Sequence, residues 1–178
     1  MHIVSHFWYP VFADANIFPA SWFPFFDAIE HGSIGTAVRD SIWAFAAIEA
    51  VHLLALSIIG GAVLIVDLRL MGWGLKRQSI SQVARDAEPW LIGSLLTMIA
   101  TGWPLMASLA ASKYYVNFAF QLKMVFLVLA ILFTFTIQRT LVRRDDSAIN
   151  PAIAKIVAIV SVLLWSGVGI MGRGIGFY

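Results

Sequence analysis

Four long apolar runs divide the chain, at about residues 42–66, 90–111, 118–138 and 152–172, and polar or basic loops separate them. Each run is long enough to cross a hydrocarbon layer about 30 Å thick as a helix. The pattern predicts an all-α integral membrane four-helix bundle, a single domain over residues 1–178, with residues 1–41 forming an interfacial cap. In that cap Trp22, Phe23, Phe25 and Phe26, with Trp8 and Tyr9, are broken by Pro10, Pro19 and Pro24, as in a segment lying at headgroup depth. A short amphipathic helix is expected between Ser21 and Asp40. The first residues lack the basic start of a signal peptide, so this segment is expected to remain in the mature protein.

Local chemistry refines the spans. Gly93, Thr97 and Thr101 recur every four residues in span two and predict a small-residue packing stripe, while Pro104 predicts a kink. Pro151 suits the first turn of span four. Asp67 and Arg69 are expected to anchor one end of span one as an exposed or half-buried ion pair. Gly167, Gly169 and Gly172 match G-x-G-x-x-G, but no strand precedes them, so helix packing is expected in place of a dinucleotide site.

Composition agrees with the pattern. Sixty per cent of the 178 residues are hydrophobic and 12% are charged; a soluble domain carries about twice that charge. The mean hydropathy is +0.84. The chain has no cysteine, which excludes disulfides, thiolate metal sites and covalent c-type haem. The net charge of +2 does not point to nucleic acid, because the basic residues sit in loops beside the spans. Arg69, Lys76, Arg77, Arg85, Arg139, Arg143, Arg144 and Lys155 fall on one side, and Arg39, Lys113, Lys123 and Arg173 on the other. By the positive-inside asymmetry, both termini are expected on the periplasmic side of a bacterial inner membrane.

The candidate chemistry lies in span one, where Glu49 and His52 are three residues apart within an apolar helix. Ionisable groups at that depth normally face a bundle interior, a cavity or a cofactor. Three readings follow. His52 is an axial ligand to haem iron, with Glu49 or a carbonyl holding its other nitrogen; or the two groups relay protons or ions; or they join helices structurally. Lys123, Arg173 and Arg39 form a candidate cluster for haem propionates, the alternative for the first two being snorkelling to headgroups. His2, His6 and His31 are a candidate outer copper or zinc site. His52 is the only histidine within a span, so a second axial ligand comes from a methionine such as Met98, Met106 or Met171, from another subunit, or is absent. No hydrolase or kinase motif occurs, which leaves an oxidoreductase subunit as the enzymatic reading.

Through Ile48-Glu49-Ala50-Val51-His52-Leu53-Leu54, Gly60-Gly61, Asp67-Leu68-Arg69-Leu70-Met71-Gly72 and Phe120-Gln121-Leu122-Lys123, the chain resembles a family of small bacterial four-span inner-membrane proteins, classed as a domain of unknown function. That resemblance implies a fold and no activity. More distantly, an early histidine in span one, small residues in the following turns and a later intramembrane lysine are similar to the copper-resistance D type proteins and the haem-carrying membrane protoporphyrinogen oxidase. This similarity implies a haem b or copper-related role for His52 and Lys123. The single intramembrane histidine departs from a bis-histidine cytochrome. The resulting expectation is a haem b electron-transfer protein linking a quinol to an outer redox partner. It would work within lipid, as a homo-oligomer or with other membrane subunits. Transport of protons, ions or copper, and a structural or assembly role, are the alternatives.

Overall fold

The computed structural model describes residues 16–144 and 149–177. Within them the chain is helical throughout. After a single 3-10 turn at Ala20–Trp22 come α1 (Phe23–Glu30) and α2 (Ser33–Asp40) in the cap, then α3 (Ala44–Leu70) and α4 (Ile80–Ser108). A π-helical turn, Ala110–Tyr114, leads to α5 (Phe118–Phe133), a π-helical segment (Thr134–Gln138) and α6 (Arg139–Val142), which together make the third span. α7 (Pro151–Gly174) is the fourth, followed by a 3-10 turn at Ile175–Phe177. The four spans have mean hydropathies of 2.2, 1.4, 2.2 and 2.2. The protein is a multi-pass membrane protein whose apolar helices contact lipid: Leu54, Leu64, Leu96, Leu132, Ile156 and Leu163 all point outward from the bundle.

Each helix start has a local cause. The Ser79 hydroxyl accepts from the Gln82 N–H, the Asn117 side chain from Phe120, and the Asn150 side chain from Ala152, satisfying donors that a helix N-terminus leaves open. Ser79 explains why span two begins ten residues before the apolar run at Trp90. Capped there, the helix projects past the hydrocarbon, carrying Arg85, Asp86 and Glu88, and tolerates Pro89 within it. The cap contains two helices where one was expected, because Gly32 separates them.

α3 is the central helix, packing against α4 on one side and α7 on the other, while α5 packs on α7. Its buried positions Ala55, Ile59, Ala62, Val63, Val66, Asp67 and Leu70 repeat every three or four residues and define the face in the core. Contact between α4 and α5 is marginal, so the bundle has an open order α4–α3–α7–α5 and a cleft between its ends. The cap lies with the end of α4, the start of α5 and the end of α7 on one face of the bundle, here the cap face. The arginine-rich loops form the opposite, basic face.

Gly93 and Thr97 do not form the expected packing stripe. Nothing approaches Gly93, and the packed side of α4 is Leu91, Ser94, Leu95 and Met98. The residue identities suited close packing, but the side that packs is set by where α3 lies. Gly167 does permit close approach: a Cβ there would stand 2.8 Å from the Phe126 ring.

Candidate functional site

His52 lies on α3 in the cap half of the bundle, half-buried, with its imidazole against α4. Its Nδ1 is 2.8 Å from the Thr101 hydroxyl oxygen. The same hydroxyl oxygen lies 2.7 Å from the Thr97 carbonyl oxygen. When its proton goes to that carbonyl, His52 Nδ1–H donates to Thr101 and the neutral ring keeps its lone pair on Nε2; when the hydroxyl turns to the ring, Nδ1 accepts. The Met98 carbonyl also interacts with this ring as a hydrogen-bond acceptor. Gly102 makes the approach possible, since a Cβ at that position would be 3.2 Å from His52 Cε1.

Lys123, on α5, acts electrostatically on His52 across the bundle. Among the described residues it has no hydrogen-bond or ion-pair partner. Its methylenes lie along α7 at Gly172, where a Cβ would be 3.7 Å from Lys123 Cδ and Cε. Arg173 follows on α7, with its guanidinium over the Phe177 ring at 5.2 Å. Lys123 thus rests on the helix position that Arg173 follows, and its charge reaches His52.

The remaining candidates are used differently. Glu49 does not hold His52: it is exposed on α3 and acts on Tyr114, whose phenol is pushed up by burial and further by the Glu49 charge. Positions three apart are only about 60° apart around a helix, so it is the lean of the His52 ring onto α4 that separates it from the exposed Glu49. Arg39 donates to the Ser108 carbonyl at 2.9 Å and the Glu30 carbonyl at 3.3 Å, and lies 3.8 Å from the Glu30 carboxylate. It fastens the cap to α4. His31 is exposed, with Nδ1 3.0 Å from the Asp27 carbonyl oxygen. His2 and His6 lie outside the described residues, so the three-histidine site does too. Among the described residues no group of three metal-ligating side chains comes together.

Three polar groups that were not foreseen as sites sit inside the fold. Glu30 accepts from the backbone N–H groups of Ala111 and Ser112 at 2.7 and 2.8 Å, joining α1 to the π turn. Gln121 is fully buried, accepting from Ile17 N–H and donating to Asn16 and to the Tyr115 carbonyl. Asp67 is 0% exposed. Its Oδ1 accepts from Gln138 at 2.8 Å, Gln138 in turn accepts from Ser161 at 3.4 Å, and Asp67 Oδ2 has no hydrogen-bond partner among the described residues. This corrects the expected exposed or half-buried setting of Asp67, while the Arg69 Nε donates to the Gln78 carbonyl. The spacing of Asp67 from Val63 and Leu70 carries the signal, because it places the carboxylate on the face that packs. Nearby, Trp165 donates to Thr134 at 3.1 Å. Thr134 and Gln138 both belong to the π-helical segment, an irregularity often found where helices place functional side chains.

The fold and its polar interior define a four-span helical membrane protein with an oriented histidine in one half and a buried carboxylate–amide network in the other. Residues 23–178 match DUF6644, a family of unknown function, and the chain belongs to that family. No curated protein and no solved structure matches it.

His52 offers one imidazole, oriented by Thr101, and Lys123 and Arg173 stand toward the cap face.

Proposed function

We propose that this protein is a membrane electron-transfer subunit that holds haem b non-covalently through His52 and connects a membrane quinol with a redox partner on the cap face. The observation that carries this reading is the proton arrangement at His52. With the Thr101 proton on the Thr97 carbonyl, Nδ1–H is held by the Thr101 oxygen and Nε2 presents a lone pair within the bundle. Bound haem supplies one-electron chemistry; the protein supplies the ligand, its orientation and the surrounding charge. Thr101 orients the ring, Gly102 admits it, and Lys123 with Arg173 offers positive charge for propionates. Arg39, committed to Glu30 and Ser108, serves the cap. The asymmetry of basic residues supports a bacterial inner membrane with the cap face periplasmic. A second copy or another membrane subunit completes the iron coordination.

The polar groups give less support to transport. His52 and Asp67 are fifteen residues apart on α3, about 22 Å at 1.5 Å per residue. Buried Ala55, Ile59, Ala62 and Val63 fill that interval. A hydrated route would have to cross this apolar packing.

The test is a reduced-minus-oxidised visible spectrum with a pyridine haemochrome assay on the detergent-purified protein, for wild type and His52→Ala. The expected result is a b-type signal in the wild type that the variant loses while its helical content is kept. A colourless, folded wild type from cells supplied with haem would overturn the proposal and favour an assembly role.

A further inference from the structure

The open side of the bundle widens at the basic face into a cavity of about 270 Å³ between α4, the π-helical segment and α6. Val63, Leu91, Phe135 and Val142 contribute apolar wall. Its rim has another character. Arg85, Arg139 and Arg143 surround a single carboxylate, Glu88, so three positive charges less one negative leave two in excess. Arg139 donates to Glu88, and Arg143 lies 3.7 Å from the same oxygen. Glu88 therefore cannot neutralise the group. Arg85 is exposed and has no ion-pair partner among the described residues. Among the described residues the buried Nε of Arg139 has no hydrogen-bond acceptor. Guanidinium groups present forked donors that match phosphate oxygens, and here they sit above an apolar cleft. Exposed Trp90, one turn along α4, marks headgroup depth at the same level.

We infer that this cleft is a binding site for an anionic glycerophospholipid, its phosphate held by Arg85, Arg139 and Arg143 and the first part of an acyl chain lying between α4 and the π-helical segment. The cavity is too small for a whole lipid, which fits a site that opens sideways into the bilayer where α4 and α5 fail to pack. Gln138 forms part of the lining and is held from behind by Asp67, so the buried network keeps the floor of the cleft in place. The site does not depend on haem at His52, which lies in the opposite half of the bundle.

The experiment is native mass spectrometry of the full chain in detergent. The protein is equilibrated separately with dioleoylphosphatidylglycerol, dioleoylphosphatidylcholine and inorganic phosphate. One phosphatidylglycerol should be retained about tenfold more tightly than phosphatidylcholine, with free phosphate neither binding nor competing at equal concentration. Two variants separate a built site from ordinary contact with surrounding lipid. Ala84→Phe fills the cavity without changing charge, and Arg85→Gln with Arg143→Gln removes charge without filling it; each should abolish the preference. Preference that survives Ala84→Phe would overturn the inference in favour of nonspecific surface attraction. Equal retention of both lipids, or phosphate binding as well as the lipid does, would overturn it too. Should Ala84→Phe fail to fold, the exposed arginine pair still decides the question.

Discussion

Replacing Thr101 by valine isolates the one interaction on which the reading of His52 turns. Valine keeps the branched shape and removes only the oxygen that accepts from Nδ1–H at 2.8 Å. Loss of an acceptor from a half-buried donor costs about 1–3 kcal/mol. The Met98 carbonyl faces the same ring and can take over part of the bond, which places the expected loss near the lower end, about 1 kcal/mol. Partners that orient a ligating histidine typically contribute 10–100-fold to metal affinity, and the same compensation argues for about tenfold here. The assay is titration of haem-free protein with haemin in detergent, followed by the Soret band, alongside thermal unfolding. Thr101→Ser restores the oxygen and should bind as wild type does. If the valine variant binds haemin within about twofold of wild type and melts at the same temperature, Thr101 does not orient His52 and the tautomer argument fails.

Other consequences follow from the polar contacts and close approaches. Burial works to raise the Glu30 carboxyl, but the bonds from Ser112 and Ala111 and the charge of Arg39 outweigh it and hold the group below the ordinary value of 4.5. A carboxylate depressed on folding stabilises above its unfolded value and loses that contribution as pH falls through the folded one. Limited proteolysis of the cap should therefore accelerate below about pH 4.5 in wild type and show no such step in Glu30→Gln. Gln138→Leu leaves Asp67 Oδ1 without its donor and should destabilise by about 3 kcal/mol, with Asp67→Leu in the same chain recovering most of the loss, as thermal unfolding of the double-mutant cycle would show. Gly35→Ala places a Cβ 2.5 Å from the Glu30 carbonyl oxygen and 2.6 Å from that of Ala107, so α2 must move off α4 and cap proteolysis should quicken. Gly167→Ala, directed at the Phe126 ring, should cost about 1–3 kcal/mol by overpacking, measured as a lowered melting temperature.

The polar interior is divided between the two halves of the membrane. In the cap half, Glu30, Arg39 and Gln121 tie the segment around α1 and α2 to the ends of α4 and α5. In the basic half, Asp67, Gln138 and Ser161 join α3, the third span and α7. The oriented histidine lies between a fastened cap and a braced base, so its surroundings are held by bonds that do not involve it.

The four spans were legible in the chain, because a run of apolar residues has no alternative to helix in a bilayer, where backbone groups must bond internally. The prominence of His52 was legible for the same reason, since an ionisable group in such a run is conspicuous. Its partner was not. Helical spacing put Glu49 near His52, but the tilt of the ring toward α4 and the space left by Gly102 selected Thr101, 49 residues away. Asp67 looked like a helix-end anchor by position, and only the packing of α7 and the π-helical segment against α3 made it a buried group with an amide donor. Periodicity determines which residues share one side of a helix. Which neighbour that side meets, and so whether a polar atom finds water, lipid or a partner, is decided when the helices pack.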